Sequence, residues 1–140
     1  MINALAVPRI AERLLGITIP EHGLMYACSY EGLHTIRLTA DPISVETDES
    51  GIEDYKLLEA KGTALGVMGG SPVHSDAKTS ISYIFDPRAS EQVVSVTTGN
   101  NEYELEFSTL SGDWFFATLS RCGHYLVLAE PYSLEIYALS

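Results

Sequence analysis

The sequence predicts a mainly β fold: an antiparallel meander sheet forming a barrel or sandwich, with two short helices giving a minor α component. Three observations carry this. Between Gln92 and Leu139, five strand-like runs begin 10 to 12 residues apart, with turn residues in every gap. Within the second run, Tyr103, Leu105 and Phe107 alternate with Glu102, Glu104 and Glu106, the period of a strand with one buried and one solvated face. The composition is 46% hydrophobic, with many Ile, Val, Thr and Tyr residues, which suit a pleated, half-buried surface.

A length of 140 residues suits one domain with one core. Its expected parts are an N-terminal helix and extended lead-in over 1–20, mixed strands with one helix over 21–89, and the five-strand meander over 90–140. The first helix rests on Ala4, Val7, Ile10, Ala11, Leu14 and Leu15 at helical spacing, with Pro8 near its start and Gly16 past its end. Leu24 to Ser29 and Leu33 to Thr39 read as strands around the turn Tyr30-Glu31-Gly32. His34, Ile36 and Leu38 form the core face of the second strand, with His34 near the sheet's end. Ile43 to Thr47 resumes the extended run.

The second helix, over 51–61, follows a capping box of Ser50 and Glu53, carries Lys61 in its last turn and stops at Gly62. Thr63 to Met68 reads as a short strand, 69–78 as a loop, and Thr79 to Phe85 as another strand. A faint repeat links Ser29-x-x-Gly32 and Pro42-x-Ser44-Val45-Glu46 to Ser120-x-x-Gly123 and Pro131-x-Ser133-Leu134-Glu135. It reads either as two related β-units packed together or as chance likeness between hairpins. The stretch Leu119-Ser120-x-Cys122-Gly123-x-Tyr125-Leu126-Val127 is similar to the strand–turn–strand of a β-propeller blade. At roughly 40–45 residues per blade, the chain has room for only about three.

The charge is −11, from 19 acids and 8 bases. Such a surface repels nucleic-acid phosphates and anionic lipid and favours a protein partner with a basic surface. No stretch approaches the roughly 20 apolar residues of a membrane-spanning helix. Arg9, Glu12 and Arg13 interrupt any secretory h-region, so the expected location is cytoplasmic. Cys28 and Cys122 belong to no CxxC pair. Two buried thiols is the favoured reading, with a single disulfide left open.

No catalytic or metal-site motif emerges, so no catalytic residue, metal or cofactor is assigned. His22, His34, His74 and His124 are each more than nine residues from the next and adjoin no cysteine, which is poor metal-ligand spacing. The glycine-rich stretch containing Gly69, Gly70 and Ser71 resembles a phosphate cradle, but Pro72 removes an N–H where a P-loop carries its Lys and Ser/Thr.

The expected function is a small acidic, non-enzymatic protein-interaction module: an inhibitor or immunity-type protein, or an assembly subunit. Its expected contact residues are Glu46, Asp48, Glu49, Glu53 and Asp54 around the second helix's start, and Glu102, Glu104 and Glu106 on one strand face. A homodimer through a sheet edge stays open. One alternative is a small-molecule-binding β-barrel lined by Tyr26, Tyr83, Tyr103, Phe107, Trp114, Phe116 and Tyr125, or one taking ligand at Gly69, Gly70, Ser71 and His74. The other is an enzyme site near the 69–78 loop, assembled from His74, Asp76, His34 or His124.

Overall fold

A computed structural model describes residues 2–10, 12–51 and 54–139. In chain order the strands are β1 (Ile2–Leu5), β2 (Leu14–Thr18), β3 (Leu24–Ser29), β4 (Gly32–Arg37), β5 (Ser44–Asp48), β6 (Ala64–Gly66), β7 (Thr79–Ser82), β8 (Glu91–Thr98), β9 (Asn101–Ser108), β10 (Phe116–Leu119), β11 (Tyr125–Glu130) and β12 (Ser133–Leu139). One short α-helix, α1 (Tyr55–Lys61), follows a 3-10 turn over Glu49–Gly51. Among the described residues the strands form three antiparallel sheets, ordered β5-β4-β3-β2-β6, β1-β12-β11-β10 and β7-β8-β9, with no closed barrel.

The four-stranded sheet lies between the other two. On one of its faces Val127, Ala129 and Ile136 join Leu14, Ile17, Met25, Ala27, Ile36 and Leu65 of the five-stranded sheet in one apolar cluster. On the other, Ala117, Leu119, Leu126 and Leu128 meet Ile81, Val94, Val96 and Phe107 of the three-stranded sheet. Successive residues of β11 therefore point into different cores, as strand alternation requires. The outer face of the five-stranded sheet is covered by α1, where Leu58 packs with Cys28 and Leu33. Gly16 permits this: a Cβ there would stand 2.8 Å from the Tyr55 ring and from the Leu65 carbonyl oxygen.

Four sequence expectations need correction. The segment expected to be the first helix forms β1 and β2 instead; Ala11 lies outside the described residues. Pro8 holds Val7 toward extended backbone. Pairing with β12 on one side, and with β3 and β6 on the other, satisfies backbone groups that a helix would have bonded locally. Among the described residues only one α-helix forms, and it is capped differently. Asp54 Oδ1 accepts from the N–H groups of Lys56 (3.1 Å) and Leu57 (3.3 Å), while Ser50 donates to Asp48. Glu53 lies outside the described residues. The five C-terminal strands are not one meander: β8 and β9 belong to one sheet and β10, β11 and β12 to another. Cys122 is exposed rather than buried, and no disulfide joins it to Cys28.

Other expectations match. His34 sits on the inner face near the end of β4, with Ile36. The two repeat-like stretches lie on β3-β4-β5 and β10-β11-β12, which face each other across the first apolar cluster, a placement that does not separate related units from chance likeness between hairpins.

The change of layer between β9 and β10 is held by Glu130, whose side chain is fully buried. Its Oε1 accepts from the N–H groups of Leu110 (2.8 Å) and Ser111 (3.1 Å), and its Oε2 from that of Tyr132. Arg13 reaches the same crossover through an ion pair with Asp113.

Candidate functional site

The hairpin β8–β9 is closed by Gly99 and Asn100. Gly99, at φ 61°, takes the first position of this two-residue turn, where a positive φ is required. The turn fixes Thr98 opposite Asn101 and hence Val93 opposite Glu106 and Ser95 opposite Glu104. Gln92, Val94 and Val96 are buried toward the second apolar cluster, as is Phe107 across from them. The opposite face is left to Glu91, Val93, Ser95 and Thr97 of β8 and to Glu102, Glu104 and Glu106 of β9, all exposed.

Four carboxylates thus share one open face, and none is in an ion pair among the described residues. Glu91 and Glu106 lie close enough for their carboxyls to hydrogen-bond. That bond, and the charge on Glu106, hold the Glu91 carboxyl above the usual carboxylate range.

The sheet's two edges differ. Along β7 the segment 74–76 supplies a partner: Ile81 N–H donates to the His74 carbonyl (2.8 Å) and Asp76 N–H to that of Thr79 (2.9 Å). Along β9 no strand pairs on the outer side among the described residues. Thr109 N–H donates to the Ser90 carbonyl (2.9 Å), so odd-numbered β9 positions bond β8. By alternation, the backbone N–H and C=O groups of Glu102, Glu104 and Glu106 point away from β8.

The other expected acidic patch lies in a different layer, at the β5 edge of the five-stranded sheet. Glu46, opposite Thr35, reaches Arg37 diagonally across the ladder at 3.8 Å. Asp48 accepts from the Ser50 hydroxyl (2.6 Å) and N–H (3.0 Å), bonds that hold its carboxyl below the ordinary range. Glu49 is exposed in the 3-10 turn, and Asp54 is engaged as the helix cap. The two acidic groups are separated by the four-stranded sheet and do not form one surface.

The residues of the two alternatives are dispersed. Gly69 and Gly70 line a shallow groove of about 340 Å³ with Tyr55 and Glu59. Ser71 is exposed beyond it, and the His74 ring packs edge-on against Tyr83 with centroids 5.6 Å apart. His34 is buried in the five-stranded sheet between the Ser29 hydroxyl (2.7 Å) and the Thr47 hydroxyl (2.8 Å). Burial lowers its pKa, partly opposed by Glu31. Asp76 and His124 do line one cleft, of about 410 Å³, together with Cys122. Asp76 Oδ1 accepts from the N–H groups of Lys78 (2.8 Å) and Thr79 (2.7 Å), so it is committed to the turn before β7.

Among the described residues no group of three His, Cys, Asp or Glu side chains is placed to hold a metal ion. No helix there is long and apolar enough to cross a membrane. The aromatic residues expected to line a cavity divide among three clusters: Tyr83, Tyr103 and Phe107 in one, Trp114, Phe116 and Tyr125 in another, and Tyr26 in the third.

Sequence reasoning missed Glu91 and Glu130. The Gly99-Asn100 turn carried a signal for Glu91, because a two-residue loop sets a register that places it one row from Glu106 on the same face. Glu130 had none, since Leu110 and Ser111, two of its three partners, are brought near by the layer change. No family model, curated protein or solved structure matches this chain.

Proposed function

We propose that the protein is a non-enzymatic interaction module, and that the outer face of β8 and β9 docks on a basic protein surface in an inhibitory, immunity-type or assembly role. The observation that carries the reading is the set Glu91, Glu102, Glu104 and Glu106 on one exposed face, with no cation paired to them among the described residues. Like charges in adjacent rows of a sheet repel, and the Glu91 carboxyl is raised first by its hydrogen bond to Glu106 and then by the charge there. A cationic partner would relieve the repulsion and would be steered to this face by the net charge of −11.

The test is capture from the native host with two baits in parallel, the wild-type chain and a variant carrying Glu102→Lys, Glu104→Lys and Glu106→Lys. The expected result is a basic protein retained by the wild type, released by raised salt and absent from the variant. A partner held equally by both baits, and indifferent to salt, would sink the proposal.

A further inference from the structure

We infer that the unpaired edge of β9 is a strand-addition site for an extended partner segment carrying Lys or Arg at three alternate positions. This rests on the acidic-face reading above and specifies the shape and chemistry of what that face receives. The starting point is the backbone. β9 is an eight-residue strand in a three-stranded sheet, and its outer side has no partner among the described residues, whereas the β7 edge is covered by 74–76. An open edge offers a row of unmade hydrogen bonds to any chain that can lie along it.

The charge pattern then selects the chain. The residues whose N–H and C=O groups point to the open edge are Glu102, Glu104, Glu106 and, at the strand's end, Ser108, because Thr109 bonds Ser90 and the ladder alternates from there. The three glutamates among them project their carboxylates from the exposed face. An added antiparallel strand would therefore bond its backbone to three positions and set its side chains beside three carboxylates at those same positions. Lys or Arg at every second residue satisfies both requirements, and acidic or bulky apolar residues there do not.

A second copy of the chain fits poorly. Antiparallel self-pairing centred on Glu104 would place Glu102 opposite Glu106 of the other copy, lining six carboxylates along one face. The same glutamates that discourage self-association thus discriminate in favour of a cationic strand. The β5 edge is the weaker candidate. It is five residues long, Glu46 already reaches Arg37, and Asp48 is bonded to Ser50.

The experiment uses the full chain, isotope-labelled for amide hydrogen exchange, and three short synthetic peptides of one composition. The first alternates Lys with Val and Thr, the second has its three lysines adjacent, and the third is the alternating peptide N-methylated at its central lysine. The expected result is that the alternating peptide slows exchange at the Glu102, Glu104 and Glu106 amides by about tenfold or more. Both other peptides should bind about tenfold more weakly, the size of one or two lost hydrogen bonds.

Equal binding of all three peptides without protection of these amides would overturn strand addition while leaving the acidic-face reading standing. Binding of none would remove both. Protection confined to the β5 amides would place the site on the wrong edge, and concentration-dependent protection without peptide would assign the edge to a second copy. Either result overturns the proposal.

Discussion

Strands β11 and β9 are held by the same kind of antiparallel ladder, yet they live in different surroundings. β11 is buried on both faces, with Leu126 and Leu128 in one core and Val127 and Ala129 in the other. β9 is buried on one face only, and its other face carries three glutamates. The difference is written in their side chains: a near-continuous apolar run where a sheet is the middle layer, strict alternation where it is an outer one. A strand's pattern thus reports how many of its faces are covered, and substitutions in the two strands should act through different properties of the molecule.

The largest expected effect is in the middle layer. Leu128→Ala removes a fully buried side chain packed against the three-stranded sheet and should cost about 2–5 kcal/mol in urea unfolding. A cost below about 1 kcal/mol would contradict a core shared between these two sheets. Next comes Glu130→Ala, which removes the fully buried carboxylate that accepts from the N–H groups of Leu110, Ser111 and Tyr132. It should cost about 3 kcal/mol by the same measurement.

The third prediction concerns pH. Burial depresses the folded-state pKa of His34 below the ordinary histidine value of 6.5, so the unfolded chain binds the proton more readily. Stability from the neutral ring is therefore present above about pH 6.5 and is lost as the pH falls toward the depressed value. The thermal midpoint should fall over that window, and the non-titrating His34→Gln should show a flatter dependence. Equal slopes for the two proteins would exclude His34 as the source.

The outer layer should give the smallest stability effects. Glu104→Ala should change unfolding stability by less than about 0.5 kcal/mol, because the side chain is exposed and unpaired. Glu106→Gln should bring the Glu91 carboxyl down toward its ordinary range, read by a carboxyl-detected NMR titration. The sign follows from the hydrogen bond to Glu106 and the charge beside it: with Glu91 raised, the folded state is penalised above that pKa and relieved as the pH falls through it. An unchanged Glu91 titration in the variant would contradict the carboxyl–carboxyl contact.

How much of this was legible follows from the same contrast. The bounds of β3, and all but one end residue of β8 and β12, could be read from alternation and turn residues, because local chemistry sets them. The exposed face of β9 was readable for the same reason. Ser111-Gly112-Asp113 looks like the other gaps, yet there the chain changes layer; nothing local distinguishes a hairpin from a crossover. The first helix was misread because Ala4, Val7, Ile10 and Leu14 match a helical period equally well. Distant partners β12, β3 and β6 decide the outcome. The unpaired edge of β9 was out of reach as well, since a free edge depends on what the rest of the chain leaves uncovered.

The buried Glu130 has a mechanical consequence. Residues 79–108 form the three-stranded sheet as one unbroken stretch of chain, leaving through the segment that this carboxylate grips at Leu110 and Ser111. A tug on β9 does not simply peel an outer layer away. It travels along the backbone to an anchor at the end of β11, the strand packed on both sides, so force applied at the surface is carried into the best-supported strand of the molecule.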